Sequence, residues 1–158
     1  MANEAIAKVG KDCKLYYAAD IDSSPTYVLI AQAINVGLPT INKTMVEVMS
    51  RETTWKSKES GLKEISLTFG YLYRGGTDSV FDALRDSFLA DTKLYFAVMD
   101  GLIATVGSEG FRFPGVVSGM SMTEELEGVR TFEFTVDLVR YLNGSALVEP
   151  EWLTVAAP

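Results

Sequence analysis

Two long segments of the chain alternate between apolar and polar side chains, and this alternation is the clearest pattern in the sequence. The first segment covers Leu62–Tyr73, and its apolar positions are Ile65, Leu67, Phe69, Tyr71 and Tyr73. The second covers Val129–Leu142, and its apolar positions are Phe132, Phe134, Val136 and Leu138. A period of two residues is typical of a β-strand with one packed face and one face in water. We therefore predict a long strand in each segment.

The polar positions of these two predicted strands share a chemical character, because each carries a carboxylate or a hydroxyl group. They are Glu64, Ser66, Thr68, Glu133, Thr135 and Asp137. Two interpretations stay open from the residues alone. The positions form either an ordinary sheet face exposed to solvent or a wall that lines a channel.

One helix is predicted, at about residues 78–90, where the chain turns after Gly75 and Gly76. Thr77 or Asp78 is suited to cap this helix, because either side chain accepts a hydrogen bond from a backbone N–H group of the first turn. The apolar stripe that we expect to pack against the sheet consists of Val80, Phe81, Leu84, Phe88 and Leu89.

The remaining segments predict further strands. Cys13–Ala19 and Tyr27–Ile34 are expected to form a hairpin around a cluster of turn-forming residues. Lys93–Gly101 is apolar on both faces, as in a strand that is covered on both sides. Leu102–Gly128 predicts one or two strands with glycine-rich breaks, in which Pro114 indicates an edge or a bulge.

A count of about six to eight strands and one helix predicts a mainly β fold, an antiparallel β-sandwich or barrel with one flanking α-helix. The 158 residues suit a single domain over residues 1–158. The chain is 47% hydrophobic, which is high for a small monomer and favours self-association.

A long loop is predicted at residues 35–61, where periodicity is lacking apart from a short strand at Met45–Met49. Connections of this length in compact domains usually have a function or are disordered. The aliphatic residues and Trp55 argue against disorder, so we expect an extended loop or hairpin that orders against a partner.

The loop is more basic than the rest of the chain, which predicts one of two roles for it. Its basic residues, with the neighbouring Lys63, are Lys43, Arg51, Lys56, Lys58 and Lys63. The loop either docks on an acidic surface of another copy, such as the one near Glu124–Glu127, or is simply solvated. The segment 143–158 includes Trp152 but has no period, so it is expected to be an arm on a neighbouring chain or partly disordered.

The net charge of −7 excludes a protein that grips nucleic acid by neutralising phosphates. The longest apolar run, Tyr27–Gly37, is interrupted by Gln32 and Asn35 and is too short to span a bilayer, so no membrane insertion is expected. The sequence has no histidine, which excludes histidine-based triads and most zinc sites.

Two motifs resemble ligand sites, and both have a simpler interpretation. Asp20 and Asp22 resemble the start of an EF-hand loop, but Pro25 replaces the required glycine, so an ordinary hairpin turn is favoured. The stretch Gly75–Thr77 at the start of the helix lacks the lysine and the spacing of a P-loop, so a strand-to-helix corner is favoured.

Catalytic chemistry has equally little support. The cluster of Glu124, Glu125 and Glu127 is expected to be a solvated turn. Cys13 is the only cysteine and has no histidine to activate it, so it is expected to be a small buried residue. We therefore predict that the protein is not an enzyme and uses no cofactor.

The order of elements resembles one family. A hairpin near the N-terminus precedes a long loop that ends in SRETTWKSKESGLKEISLTFGYLY, the helix TDSVFDALRDSFLADT, the strands KLYFAVMDG and FRFPGVVSGMSM, and the last long strand TFEFTVDLVRY. Over roughly Lys8–Tyr141 this is similar to the major tail tube proteins of bacteriophages with long non-contractile tails. Tube proteins of contractile tails and of related secretion systems share that fold.

The resemblance implies a homo-oligomer of hexameric rings, whose inner strands join into one β-barrel and whose rings stack through the long loop and the terminal segments. It implies a virion protein that assembles in the bacterial cytoplasm, with the tape measure protein in its lumen and with the terminator and tail tip proteins as other partners. Genomic DNA would pass through without specific binding. On this reading the six polar positions face the lumen, and the stacking loop uses Lys43, Arg51, Trp55, Lys56 and Lys58.

Other classes of protein remain as alternatives. A monomeric β-sandwich module that binds sugar or peptide would need an exposed aromatic platform, for which the available residues are Tyr16, Tyr17, Tyr71 and Tyr73. A tail terminator or a secretion-system tube protein of the same fold is the second alternative.

Overall fold

The structure is a computed structural model, and it describes residues 13–21, 25–34, 36, 39–49, 51, 54–73, 75–123 and 130–156. The strands in the first half are β1 (Lys14–Ala18), β2 (Val28–Leu29), β3 (Ala33–Ile34), β4 (Thr40–Val48) and β5 (Ser57–Leu72). The helix is α1 (Ser79–Ala90). The strands in the second half are β6 (Leu94–Met99), β7 (Glu109–Thr123), β8 (Thr131–Leu138), β9 (Leu142–Asn143), β10 (Ala146–Leu147) and β11 (Glu151–Thr154).

Nine of these strands form one antiparallel sheet in the order β2-β1-β6-β7-β8-β5-β3, with β11 beside β7 and β4 beside β5. The short strands β9 and β10 form a separate pair. A mainly antiparallel β fold with one flanking helix is therefore confirmed. Both strands predicted from alternation, β5 and β8, are present and lie side by side.

The main core lies between the apolar faces of these strands and the helix. Phe69 and Phe134 face each other across β5 and β8 with ring centroids 5.6 Å apart, and Phe81 of α1 packs 4.8 Å from Phe132. All six residues of β6 are buried, so its predicted coverage on both sides is confirmed. Its second face packs Ala97 and Met99 against Tyr16 and, further out, Leu153 of β11.

The helix begins as predicted but packs differently near its end. Asp78 caps it, because one carboxylate oxygen accepts a hydrogen bond from the Phe81 backbone N–H at 3.2 Å. Leu89 was expected in the packed stripe, and this is wrong: its side chain is 67% exposed. Ser87 is fully buried instead, since the last turn of the helix approaches β7 too closely for a large side chain.

Tyr27–Ile34 is not one strand, although its first part does pair with β1 as predicted. A turn interrupts it, in which the Ala33 N–H donates to the Ile30 carbonyl oxygen at 3.2 Å. Ile30 is buried at this turn, and the chain changes direction there. It leaves β2 at one end of the sheet and enters β3 at the other, where Ile34 pairs with Gly70.

The segment Leu102–Gly128 was expected to hold an edge or a bulge at Pro114; no bulge lies at this residue, and β7 lacks a ladder partner there on one side only. Pro114 lies inside β7, which pairs with β6 on one side from Gly110 to Gly115. On its other side the partner is β11 from Glu109 to Arg112 and β8 from Gly115 onwards. Proline lacks an N–H donor, so this change of partner accommodates it without the loss of a ladder hydrogen bond. The irregularity in register comes later, between Val117 and Gly119.

The predicted long loop is a β-hairpin. Strand β4 covers Thr40–Val48 and pairs with the first part of β5, from Ser57 to Ser66, so the short strand expected at Met45–Met49 is longer and begins earlier. The C-terminal segment also contains a strand: β11 pairs with β7 of the same chain. The predicted docking of residues 143–158 on a neighbouring chain stays a prediction.

Candidate assembly surfaces

The six predicted polar positions come together on one face of the sheet. Strands β5 and β8 are neighbours, and their register places Ser66 opposite Asp137 and Thr68 opposite Thr135. Alternation along β5 adds Glu64 and alternation along β8 adds Glu133. The residues between them form the opposite face, which is buried in the core. Two sequence segments about 70 residues apart thus build one continuous surface.

The face extends over two further strands. On β4, Thr40 lies opposite Ser66 and Asn42 lies opposite Glu64. On β7, Ser121 lies opposite Glu133, and the Ser118 hydroxyl donates to an Asp137 carboxylate oxygen at 2.5 Å. We call this set of side chains the polar face: Thr40, Asn42, Glu64, Ser66, Thr68, Ser118, Ser121, Glu133, Thr135 and Asp137. It has three carboxylates and no basic side chain, so its potential is negative.

The contribution of β7 escaped the sequence analysis for a definite reason. Strict alternation would place Ser118, Met120 and Met122 on one face. The register shift between Val117 and Gly119 inserts one extra residue. After it, Met120 packs against the core and Ser121 joins the polar face. A prediction from strict alternation, made without knowledge of the bulge, therefore assigns the side chains after Val117 to the wrong faces of the sheet.

The second candidate surface is the hairpin of residues 40–64, which we call the stacking hairpin. Every residue of β4 is exposed. Near the tip, Met49 is 76% exposed and Trp55 is 81% exposed, and these are among the most exposed apolar side chains in the described structure. Large exposed apolar groups on a protruding element are typical of a protein interface.

The five residues predicted for ring stacking do not form one cluster. Arg51, Trp55 and Lys56 lie near the tip, whereas Lys43 lies at the base of the hairpin, opposite Lys63. Glu47 partly neutralises the tip, because its carboxylate is 3.4 Å from the Lys56 amine and Lys58 lies opposite it. The acidic cluster Glu124–Glu127, expected to receive this loop, lies outside the described residues.

The two ligand-like motifs have structural roles in the described residues. Asp20 closes a turn, since both carboxylate oxygens lie 3.1 Å from the Thr26 backbone N–H; Asp22 is outside the described residues. At the start of the helix, Asp78 occupies the capping position where an anion would bind. It also accepts a hydrogen bond from the Tyr71 hydroxyl at 2.5 Å. Burial raises the pKa of the Tyr71 phenol, and Asp78 raises it further.

The aromatic residues that a ligand-binding module would need are not available as a platform. Tyr16, Tyr17 and Tyr71 are buried, and the ring of Tyr73 packs 4.5 Å from that of Phe81. Within the part of the chain that the structure describes, no group of three or more acidic or cysteine side chains is arranged to hold a metal ion. In the same residues, no helix is long and apolar enough to span a membrane.

Solved structures with the same fold include two tail tubes and a tube-terminating cap. The tail of an empty gene transfer agent particle, refined with helical and C6 symmetry, aligns with a TM-score of 0.66 at 18% identity, over 90% of this chain and 98% of the other. The SPP1 tail tube aligns with a TM-score of 0.69 at 12% identity, over 96% and 81%. The tube-terminating cap of the anti-feeding prophage aligns with a TM-score of 0.60 at 6% identity, over 98% and 96%. No protein-family model and no curated protein sequence matches the chain.

The resemblance to tail tube proteins is therefore confirmed at the level of the fold. The alignments span 90–98% of this chain, so the shared fold extends over most of its length. Identities this low establish the fold alone, and the function has to be argued from the surfaces.

Proposed function

We propose that the protein is a structural tail tube subunit that assembles into rings, which stack into a hollow tube. The observation that carries this proposal is the polar face, one acidic surface across four strands with the main core directly behind it. A sheet with one packed and one wet face is what the wall of a water-filled barrel requires. Its presence in a fold shared with tail tubes favours a channel over a plain solvent-exposed face.

The polar face lines the lumen in this proposal. Glu64, Glu133 and Asp137 repel phosphate groups. The serine and threonine hydroxyls hydrate the wall and add no positive charge that would bind DNA. Genomic DNA therefore slides through the tube and is not held. Rings of six subunits fit the C6 symmetry of the gene transfer agent tail.

The stacking hairpin connects successive rings. Its apolar side chains near the tip, Met49 and Trp55, become buried against the next ring, and Arg51 and Lys56 give the tip a basic rim. A further copy of the chain is the natural partner, because burying this surface removes the exposed apolar groups from water.

The proposal places the protein in the tail of a virion, assembled beforehand in the host cytoplasm. Its other partners would be the tape measure protein within the lumen, the terminator and the tail tip. No catalytic role is proposed, since the carboxylates of the polar face are spread over two strands, with Glu64 on β5 and Glu133 and Asp137 on β8.

A tube-terminating cap is the second candidate function. The observation in its favour is the fold that the chain shares with the cap of the anti-feeding prophage, with almost complete coverage of both chains. Electron micrographs of the purified protein separate the two functions. A tube subunit forms long hollow tubes, whereas a cap forms single rings.

Reversal of the lumen charge tests the proposed role of the polar face. Glu64→Lys combined with Glu133→Lys should leave tubes intact, because both side chains are exposed, but should slow DNA ejection, since four charge units per subunit change in favour of phosphate binding. The matched Glu64→Gln/Glu133→Gln variant removes the charge without adding a cation and should have a weaker effect. Normal ejection through tubes of the lysine variant would rule out a lumenal polar face.

A further inference from the structure

A groove of about 550 Å³ lies between the base of the stacking hairpin and the C-terminal segment. Its apolar lining includes Ile41, Ile65 and Phe111, and its charged lining consists of Lys43, Lys63 and Glu149. Alternation along β5 places Lys63 and Ile65 on the side opposite Glu64, so the groove opens away from the polar face. It is therefore a separate surface from the proposed lumen.

The two lysines of the groove form an unfavourable pair within the subunit. Lys43 and Lys63 lie directly opposite each other on β4 and β5. Like charges at directly opposite positions destabilise a sheet, because their Cβ atoms are only about 4.5–5.5 Å apart. Neither lysine forms an ion pair within the described part of the chain, Glu149 included. An anionic group from outside the subunit would relieve this repulsion.

The outer face of α1 has the complementary chemistry. Asp82, Asp86 and Leu89 follow one another at spacings of four and three residues, which places them on one stripe of the helix. Leu89 is 67% exposed. Arg85 is shared by two carboxylates, 3.3 Å from Asp82 and 3.6 Å from Asp86, so the stripe keeps a net negative charge. Asp91 follows directly after the helix.

Two other exposed carboxylates, those of Glu109 and Glu151, already have partners within the subunit. Glu109 accepts a hydrogen bond from the Trp152 indole N–H at 2.9 Å, and Glu151 is paired with Arg112. The stripe on α1, in contrast, combines surplus negative charge with a large exposed apolar side chain, as a basic groove with an apolar lining requires.

We propose that α1 of a second copy docks in this groove, with Leu89 on the apolar lining and Asp82 and Asp86 beside Lys43 and Lys63. The inference rests on the proposed tube and assigns the contact between adjacent subunits of one ring. Helix stripe and groove are different patches of the same chain, so the contact is heterologous. Such head-to-tail contacts close into rings when the rotation between copies allows it.

Charge reversal on each side, and on both sides together, tests the contact. Lys63→Glu or Asp86→Lys alone should raise the protein concentration needed for assembly at least about tenfold, because each places like charges together. The combination should return it to within about threefold of the wild type, since opposite charges face each other again. Lys14→Glu is the control, with the same charge change on β1 outside the groove.

Two results would overturn the contact. Either both single variants assemble at the same protein concentration as the control, or the combined variant needs a concentration as high as that of the more impaired single variant. Leu89→Ser keeps the test decisive if a charge variant folds poorly, because this exposed side chain contributes little to the folded subunit. It should lower assembly at an unchanged melting temperature, and unchanged assembly would also overturn the contact. Failure of the wild type to form any ring or tube would instead refute the proposed function and the contact with it.

Discussion

Ser87 ties the helix to the bulged strand of the sheet, and Ser87→Ala should therefore destabilise the subunit far more than its small size suggests. The side chain is fully buried. Its hydroxyl accepts a hydrogen bond from the Val117 N–H at 3.1 Å and donates one to the Thr92 carbonyl oxygen at 2.7 Å. Val117 is the last regular residue before the register shift in β7, so the serine satisfies an amide that the bulge takes out of the ladder.

The size of the effect follows from the two backbone groups that lose their hydrogen-bond partner in the alanine variant, the Val117 N–H and the Thr92 carbonyl oxygen. A buried N–H group without a partner costs about 1–3 kcal/mol. Alanine is smaller than serine, so no steric clash adds to this loss of stability. For a chain of this length, about 2 kcal/mol corresponds to a fall in melting temperature of roughly 4–8 °C. The free energy of unfolding is measured by urea titration of unassembled subunits, followed by circular dichroism.

Ser121→Ala is the matched control for Ser87→Ala. It removes the same hydroxyl from an exposed position on the polar face, where the change should stay within about 0.5 kcal/mol. Amide exchange at Val117 gives a second, local measure and should accelerate in the Ser87→Ala variant alone. A loss of stability equal to that of the control would refute the assigned role of Ser87.

Two further predictions concern alkaline pH and the stacking hairpin. Burial raises the pKa of Tyr17, Tyr27, Tyr71 and Tyr95, so the stability that these neutral phenols provide is complete below their unfolded pKa of about 10 and is lost as pH rises above it. Tyr71→Phe should flatten this alkaline loss, and an unchanged pH profile of urea midpoints would contradict it. Replacement of residues 45–60 by a two-residue turn should leave rings that do not stack, whereas tubes of normal length in electron micrographs would exclude the hairpin as the connector.

The strands that face the proposed lumen were predictable because they are half buried. In the paired part of β5 and β8, apolar residues pack into the core and the polar residues between them face water. This alternation of burial produces a sequence pattern with a period of two residues. The capping residue Asp78 was predictable for a local reason as well, since the first turn of any helix needs acceptors for its N–H groups. Both features depend on interactions within a few residues or on one side of a sheet.

The features that the sequence did not reveal depend on contacts between distant segments. The bulge in β7 lies beside an amide, that of Val117, whose acceptor is the hydroxyl of Ser87, 30 residues earlier. The split of Tyr27–Ile34 into β2 and β3 depends on two different partner strands. A local pattern of apolar and polar residues cannot predict which strands a segment pairs with, because the same apolar run is compatible with one strand or with two short strands.

The stacking hairpin links the stability of the subunit to its assembly. Its two strands hold each other by ladder hydrogen bonds, yet all nine residues of β4 are exposed and no core lies beneath them. An isolated two-stranded hairpin is at best marginally stable in water, and the opposed lysines at its base weaken this one further. Contacts with other copies remove both defects, because the next ring buries the apolar tip and a neighbour in the same ring neutralises the base. We therefore expect the free energy that orders the hairpin to come mainly from contacts between subunits, so that the hairpin becomes rigid only within the polymer.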